Sequence, residues 1–302
     1  MLATVFYWAL NMSITASLMG CVVLLLRKIR AIPRRAAAVL WAAPFLRFCV
    51  PLGVSSPISL MALFGGAVKT VPVYRAETWE FSAANVIQAA ENYTPMRYRT
   101  ERLAQVFFIA GLVWVIVALA ILLAMGIVYT ATKREIRDAR RLEKNVFLSP
   151  KVESPAVYGL WKPRIVLPAL YEGRDLRYVL QHENTHIRRG DNWWRLLGFA
   201  VAAIHWFNPL AWLFLKRFLA DLELACDECA VSHCSPEERK EYARALLDCA
   251  EQKSLFASAF GGAKIRTRVE HILSYRQMTG FAGICLAVLV GAILFVMLVN
   301  AG

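Results

Sequence analysis

Four long apolar runs divide the chain, and each is close to the ~20 residues that a helix needs to cross the hydrocarbon of a membrane. They cover residues 2–26, 36–54, 104–130 and 278–299. Arg47 and the prolines Pro44 and Pro51 interrupt the second run, so it is the least regular of the four. The pattern predicts a mainly α membrane protein with four transmembrane helices.

A fifth apolar run, at about 196–215, differs from the others because polar residues occupy its centre. It contains His205 and the pair Asn208–Pro209, and Asn-Pro is a typical break between helices. We therefore predict two helical pieces that form a membrane-associated hairpin, either on the membrane surface or re-entrant, rather than one crossing helix.

The segment before this hairpin has the periodicity of a helix with one buried side. Asp175 can cap its start, and Glu183 falls on the same stripe as Leu176, Val179, Leu180 and Ile187. His182 and His186 lie four residues apart, which brings their rings to one side of the helix. The stretch "HENTH" is therefore a complete H-E-x-x-H, the spacing of two zinc ligands with a glutamate beside them. A surface helix that carries polar residues is the alternative interpretation.

A catalytic zinc usually has three protein ligands, so a third ligand has to come from another part of the chain. Glu223 and Asp227 share one face of a predicted helix at 220–231, with Glu223 as the third ligand and Asp227 as the acceptor for a ligand histidine. We expect Asp221 and Glu228, on the other side of that helix, to be solvated. If Glu223 and His186 meet at one metal, 196–215 cannot be a simple fifth span.

Cysteine supplies a rival metal set. Cys226, Cys229, Cys234 and His233 could hold a structural zinc, although they are crowded around one helix end. The simpler interpretation is that these thiols are small buried residues in a reducing compartment. The chain contains seven cysteines, an odd number that predicts no disulfide framework.

Charge sets the orientation of the spans. Lys and Arg are dense at 27–35, at 133–144 and before the last run, and loops of this kind stay cytoplasmic. The segment 55–103 mixes both charges and is predicted to be an external loop, so both termini lie outside. Residues 131–277 then form one cytoplasmic α+β domain between spans 3 and 4, in a multi-pass protein of the cell membrane. The net charge of +13 is explained by this orientation and not by nucleic-acid binding.

Several stretches together resemble one family, the integral-membrane zinc peptidases of the BlaR/MecR type, which belong to the gluzincins. They are "HENTHIRRGD", "SPAVYGLWKPRIVLP", "WFNPLAW", "ELACDECAV" and "ASAFGGAKIRTRVEHIL", in the order of that family. The resemblance implies that His182, His186 and Glu223 bind Zn²⁺, that Glu183 is the general base and acid, and that Asp227 supports a ligand histidine. It also implies autocleavage between 250 and 262 as a candidate event. The C-terminal penicillin-binding sensor domain of the antibiotic-responsive members is not expected, because no S-x-x-K motif occurs.

The sequence therefore predicts a zinc metalloendopeptidase that cleaves a cytoplasmic protein, a transcriptional repressor or itself, in signal transduction. A constitutive membrane protease and a non-catalytic scaffold braced by zinc are the alternatives. The expected partners are a cytoplasmic protein or peptide substrate, membrane lipids, an external sensor protein and a second copy of the chain. We expect an extended substrate to lie along an edge strand at 157–167. His205 and His233 are candidates for stabilising the oxyanion, although His205 is better explained as a core histidine.

Overall fold

The computed structural model describes residues 2–29, 32–50, 55–56, 101–173, 175–251, 264–275, 280–298 and 300–301. The helices are α1 (Leu2–Leu26), α2 (Arg34–Leu40), α3 (Ala42–Cys49), α4 (Glu101–Glu135), α5 (Arg177–Arg189), α6 (Asp191–Ile204), α7 (Pro209–Ala230), α8 (Pro236–Glu251), α9 (Ile265–Leu273) and α10 (Gly280–Leu298). The strands are β1 (Ser55–Ser56), β2 (Arg140–Arg141), β3 (Val146–Ser149), β4 (Ala156–Tyr158), β5 (Arg164–Pro168) and β6 (Asn300–Ala301). A 3₁₀ turn, Ala169–Tyr171, follows β5.

Within the described parts of the chain, two helices are long and apolar enough to cross a membrane. They are α1, over Leu2–Leu26, and the Gln105–Arg134 part of α4. In α10 the apolar stretch Phe281–Val296 is shorter. A single helix thus covers most of three of the four predicted spans, and two of these three helices are long and apolar enough to cross a membrane.

The second predicted span does not form one helix. The chain breaks into α2 and α3 at Trp41, whose indole donates to Asp221 Oδ2 at 2.9 Å. Pro44 explains the position of the break, because a proline has no N–H for the carbonyl four residues earlier and its ring clashes with that carbonyl. That carbonyl belongs to Leu40, the last residue of α2. Within 36–50 the second predicted span is therefore two short helices that join at Trp41, and its crossing of a membrane stays a prediction.

Helices α6 and α7 form the hairpin that Asn208–Pro209 predicted. Asn208 caps α7 by accepting from the Leu210 N–H at 2.9 Å, and Pro209 occupies the first helical position. The Asn208 amide also donates to Ser13 Oγ at 2.7 Å and Ser17 Oγ at 2.8 Å, in the middle of α1. The turn of the hairpin therefore lies beside the middle of α1. Helix α7 then runs back along α6, so that Glu223 of α7 lies next to Arg195 near the start of α6.

The packing between α1 and α7 is close enough to require a glycine. A Cβ on Gly20 would lie 2.2 Å from Cε2 of the Phe214 ring, well inside the contact distance of two carbons. Around this point a buried apolar cluster joins α1, α2, α3, α6 and α7. Its largest members are Met19, Trp41, Phe45, Phe48, Phe214 and Phe218.

A small four-stranded sheet with the order β2-β3-β5-β4 lies beside α5. Strand β3 is parallel to β5, and the two outer pairs are antiparallel. The segment predicted as one edge strand at 157–167 is instead a hairpin, in which β4 is the edge and β5 is interior. Gly159, with φ +93°, allows the turn, because a Cβ there would lie 2.9 Å from the carbonyl oxygen of Lys162.

Asp221 and Glu228 are buried, so the expectation that they are solvated is wrong. Asp221 accepts two hydrogen bonds from Arg27, at 2.7 and 2.8 Å. Glu228 accepts the backbone N–H groups of Arg34 and Arg35, at 2.9 and 3.0 Å, and so caps the start of α2. The basic residues after α1, which indicate orientation in the sequence, are also the partners of these acids.

Two sequence predictions lie outside the described residues. They are most of the external loop at 55–103 and the candidate cleavage segment within 250–262, of which only 250 and 251 are described.

Candidate metal centre

Helix α5 places the H-E-x-x-H motif between the sheet and α7. Val179 of α5 packs with Val146, Leu148, Ile165 and Leu167 of the sheet, and Leu176, Leu180 and Ile187 lie against the same cluster. This is the apolar stripe that the periodicity predicted. Glu183 is accordingly buried, with 7% of its surface exposed.

Three side chains of the predicted ligand set point at a common position. The Nε2 atoms of His182 and His186 are 3.2 Å apart. From α7, Glu223 Oε2 lies 3.8 Å from His182 Nε2, and Glu223 Oε1 lies 3.7 Å from His186 Nε2. Each histidine is less than a tenth exposed and Glu223 side-chain exposure is 14%. The structure therefore brings together the three residues that spacing placed on two separate helices.

These distances fit a zinc ion. Ligand bonds of about 2.0–2.1 Å in a tetrahedron separate neighbouring ligand atoms by about 3.3 Å. The observed separations of 3.2 to 3.8 Å lie near this value. Two imidazole nitrogens and a carboxylate are also the donor types that zinc accepts. The site gathers electron-pair donors, and in the absence of a metal the cationic side chains of Arg195 and Arg268 lie against them.

The Glu223 carboxylate is held by two arginines. Arg195 of α6 donates to Glu223 Oε1, and Arg268 Nη1 of α9 lies 3.5 Å from Glu223 Oε2. Burial alone would raise the pKa of Glu223, but His186, Arg195 and Arg268 outweigh it and hold the pKa well below its ordinary value. Glu223 is therefore an anion, the state in which a carboxyl group binds a metal.

His186 has a partner that the sequence interpretation missed. Its Nδ1 lies 2.6 Å from Oδ2 of the buried Asp191. A carboxylate only accepts, so Nδ1 carries the hydrogen and Nε2 is the nitrogen that can bind a metal. Burial would lower the pKa of His186, but the carboxylates of Glu223 and Asp191 raise it above its ordinary value, so the surroundings favour positive charge here.

A glycine at the end of α5 places Asp191. Gly190 adopts a left-handed conformation, with φ 66° and ψ 31°, ends α5 and precedes α6. The chain reverses direction there, and the first residue of α6 turns back onto His186. The sequence contains a signal for this arrangement, a glycine after the motif followed at once by an acid, but the spacing alone did not assign Asp191 to His186.

His182 is supported by a longer chain of contacts. Asp227 lies near it, as predicted, with Oδ1 3.3 Å from His182 Nδ1. The Tyr242 hydroxyl of α8 is nearer, at 2.8 Å from the same nitrogen, and it donates to Asp227 Oδ1 at 3.0 Å. Arg268 then donates twice to Asp227, with both distances 2.7 Å. Burial would raise the pKa of Asp227, but Arg268 and His182 hold it far below its ordinary value.

Cys226 also lies close to the two histidines, since one ligand atom from each of the three residues falls within 4.8 Å of the others. Its sulfur is 3.7 Å from His182 Nδ1, however, on the opposite side of the ring from Nε2. Burial, Glu223 and Asp227 raise the pKa of the Cys226 thiol well above its ordinary value, which disfavours the thiolate that zinc needs. Both features favour Glu223 over Cys226, and Glu223 as the third ligand stays a prediction.

The other candidates lie away from this convergence. Within the described chain, the rival set of Cys229, Cys234 and His233 does not join the group that could hold a metal. His205 is buried in the turn between α6 and α7, where Nε2 is 3.1 Å from the Phe48 carbonyl oxygen, as expected of a core histidine. His233 is exposed.

The edge strand β4 is tied to the metal centre through the residue after Asp191. The Asn192 amide donates to the carbonyl oxygens of Val157 and Gly159, at 3.2 and 3.0 Å. Val157 lies in β4 and Gly159 follows it directly, so Asn192 bonds to the end of this strand and to the turn after it. The dipeptide Asp191–Asn192 thus joins His186 to the strand on which we expected an extended substrate to lie.

Comparison with known proteins gives a consistent result. The profile of the family described as BlaR1 peptidase M56 matches residues 7–278. Regulatory protein BlaR1 of Bacillus licheniformis is 25% identical over 141 residues, which are 45% of this chain and 24% of that protein. Methicillin resistance mecR1 protein of Staphylococcus aureus is 26% identical over 141 residues, which are 43% of this chain and 24% of that protein. The chain thus matches about a quarter of the length of these relatives.

Proposed function

Because the chain belongs to the BlaR1 peptidase M56 family, a family of metallopeptidases, we propose that it is a membrane-embedded zinc endopeptidase of the gluzincin type. The observation that supports this proposal most strongly is the convergence of His182, His186 and Glu223, with ligand atoms 3.2 to 3.8 Å apart. In this proposal those three residues hold the zinc. The family is the one that the sequence motifs resemble, so that prediction is confirmed.

The reaction is peptide-bond hydrolysis. Zinc, when bound in such a site, activates water and polarises the scissile carbonyl. Glu183 takes a proton from the attacking water and delivers it to the amine of the leaving product, which is general base and then general acid catalysis by one carboxylate. Glu183 lies on α5 together with His182 and His186, so the motif would hold its carboxylate beside the water that attacks the peptide bond. Asp191 and Asp227 hold the histidine rings in orientation.

The substrate in this proposal is an extended segment of a cytoplasmic protein, a repressor or the chain itself. The edge strand β4 lies beside α5, and strand addition there is the binding mode that we propose, with the substrate displacing the Asn192 amide from the Val157 carbonyl. The names of the relatives, a regulatory protein and a resistance protein, support a role in signal transduction. A signal from outside would then reach the protein through 55–103 or through a separate sensor protein.

Exposure and charge support the membrane placement that we propose. Large apolar side chains cover the surface of α4, and nine of them from Ile109 to Tyr129 are 46–66% exposed, among them Leu119 and Leu123. Exposed apolar surface on that scale is typical of a face that contacts lipid. With the basic segments inside, the proposal has four spans, both termini outside, and a metal centre at the cytoplasmic side. The α6–α7 hairpin is then re-entrant and does not cross.

The test uses Glu183→Gln in the full chain, purified in detergent. We expect one zinc per wild-type chain, retained zinc in Glu183→Gln, and zinc lost in His182→Ala. Quantitative N-terminal proteomics of cells that carry the wild type or Glu183→Gln should show new cytoplasmic N-termini only with the wild type. Glu153→Gln, an exposed acid near the sheet, is the matched control and should cleave like the wild type.

The outcomes separate the alternatives. Zinc binding without any cleavage by the wild type would support a zinc-braced scaffold and sink the peptidase proposal. Many unrelated N-termini, present without any signal, would favour a constitutive protease over a transducer.

A further inference from the structure

We propose that Tyr242 and Arg268 are positioning residues that fix the ring of His182 with Nε2 towards the metal. The proposal rests on the function proposed above, in which His182 is a ligand. It goes beyond that function because both residues lie outside the H-E-x-x-H motif and the helix of the third ligand, on α8 and α9.

The first step concerns the single hydrogen of the Tyr242 hydroxyl. That hydroxyl is buried, with the residue 1% exposed, and donates its hydrogen to Asp227 Oδ1 at 3.0 Å. Towards His182 Nδ1, 2.8 Å away, it can then only accept. Nδ1 must therefore carry the imidazole hydrogen, which leaves Nε2 as the nitrogen that can bind a metal.

The second step concerns the direction of the whole chain of hydrogen bonds. Arg268 is 6% exposed and donates two parallel bonds to Asp227, at 2.7 Å each, which is the fork geometry that a guanidinium makes with a carboxylate. A guanidinium has no acceptor, so Asp227 stays a charged acceptor on its other side. His182 Nδ1 therefore donates to the Tyr242 hydroxyl, and that hydroxyl donates to Asp227. Arg268 donates to the same carboxylate and holds it in place.

A separate contact gives the same ring orientation. Arg268 Nη2 lies 3.2 Å from His182 Nε2, the nitrogen that faces His186 and Glu223. Because a guanidinium is only a donor, this approach requires an electron pair on Nε2. Without a metal the two contacts therefore agree on one tautomer. The Nε2 electron pair that Arg268 faces is also the one that a metal would bind, so the positioning role of Arg268 rests on its fork to Asp227 and not on this contact.

The position of these residues extends the metal centre into α8 and α9. Tyr242 and Ile272 share a buried cluster with Ala230 and Val231 at the end of α7. Helix α9 also contacts α7 through His271, whose Nε2 is 3.4 Å from Glu228. The centre is therefore built from α5, α7, α8 and α9, and the last of these directly precedes α10 in the described chain.

The experiment measures zinc affinity of the purified full-length protein by competition with a chelator. Supporting residues of this kind change metal affinity by about 10–100-fold when they are removed. We expect Arg268→Gln to weaken zinc binding by about that range, and Tyr242→Phe by about the lower end of it. The Tyr242 change is milder because Asp227 Oδ1, at 3.3 Å from Nδ1, can accept directly after a small movement.

The chain supplies close controls. Arg266 lies two residues from Arg268 with its side chain 88% exposed and paired to Glu270, so Arg266→Gln should bind zinc like the wild type. Tyr178 packs its ring against Tyr242, with ring centroids 6.2 Å apart, and Tyr178→Phe should also be silent. Arg268→Lys keeps the charge but not the fork and should recover only part of the affinity.

A spectroscopic measurement separates orientation from charge. In Co²⁺-substituted protein the visible absorption depends on the ligand geometry, so Tyr242→Phe and Arg268→Lys should shift it, whereas Arg266→Gln should not. Zinc binding in Arg268→Gln that is unchanged or tighter than in the wild type would overturn the proposal, because the arginine would then only balance charge. If Arg268→Gln does not fold, the Lys and Phe variants decide, and unshifted spectra in both would overturn it.

Failure of this inference is distinct from failure of the proposed function. Wild-type affinity in the Arg268 and Tyr242 variants, with zinc lost in His182→Ala, would reject only the positioning role. If His182→Ala binds zinc as tightly as the wild type, the ligand assignment itself is wrong.

Discussion

The two histidines of the H-E-x-x-H motif, His182 and His186, are supported in different ways. His186 is held by Asp191, five residues further along, at 2.6 Å. His182 is held by Tyr242, Asp227 and Arg268, which come from three other helices at sequence distances of 45 to 86 residues. One support is therefore local and needs only a turn at Gly190, whereas the other forms only when α5, α7, α8 and α9 have assembled. The metal centre is sensitive to tertiary packing mainly through His182.

The largest effect should come from breaking the distant support. Asp227→Ala removes the partner that receives two bonds from the buried Arg268 and leaves Glu223, at 3.5 Å, as a weaker one. Removing one member of a buried ion pair usually lowers the free energy of unfolding by about 3–5 kcal/mol. Because Arg268 keeps its contact with Glu223, we expect a loss at the lower end, about 3 kcal/mol. The measurement is the free energy of unfolding of the metal-free protein in mixed micelles.

The control for this change is Asp248→Ala, an exposed acid on α8, which should stay within about 0.5 kcal/mol of the wild type. If Asp227→Ala lowered the free energy of unfolding by less than about 1 kcal/mol, the buried network would contribute no more to stability than an exposed ion pair does.

A smaller effect is expected from breaking the local support. Asp191→Ala removes the acceptor of His186 Nδ1, and its other partner, Arg189, keeps 21% side-chain exposure and can turn to water. We expect about 1–2 kcal/mol of lost stability, together with zinc affinity reduced by about 10–100-fold. Calorimetric unfolding and chelator competition test the two parts. A stability loss as large as that of Asp227→Ala would contradict the difference between the two supports.

The difference between local and long-range contacts also explains what the sequence could predict. The stripe of α5, the burial of Glu183 and the break at Asn208–Pro209 follow from periodicity and turn chemistry, which act over a few residues, and the structure confirms them. The proximity of Glu223 to the two histidines could be predicted because a catalytic zinc needs a third ligand, and acids on a neighbouring helix are candidates for it. The family resemblance rests on the same short stretches.

The contacts that were missed are long-range pairs between charged residues. Arg268 belongs to a basic stretch that, in the sequence, indicates only the cytoplasmic side of the membrane. Asp221 and Glu228 lie on a helix rich in acids, where solvation is the ordinary expectation. No local pattern tells a solvated arginine from one that will meet a buried carboxylate 41 residues away, as Arg268 meets Asp227. The sequence also gives no indication of the role of Tyr242, because a tyrosine in an amphipathic helix is usually a core residue.

The smallest effect is expected from Gly190→Ala, which tests whether the turn at Gly190 places Asp191 beside His186. Gly190 has φ 66°, and a Cβ there would find no atom within 4 Å, so the cost of Gly190→Ala is conformational and not steric contact with neighbours. The left-handed conformation costs a residue other than glycine about 1–2 kcal/mol, so we expect a loss of about 1 kcal/mol and a shift in the position of Asp191 that weakens zinc binding less than Asp191→Ala does. Gly190→Asn is the matched control, because asparagine visits this conformation readily and should keep most of the affinity. Equal zinc affinities in Gly190→Ala and the wild type would show that the packing of α6 against α5 and α7, rather than the turn, places Asp191. In that case both histidine supports would depend on tertiary assembly.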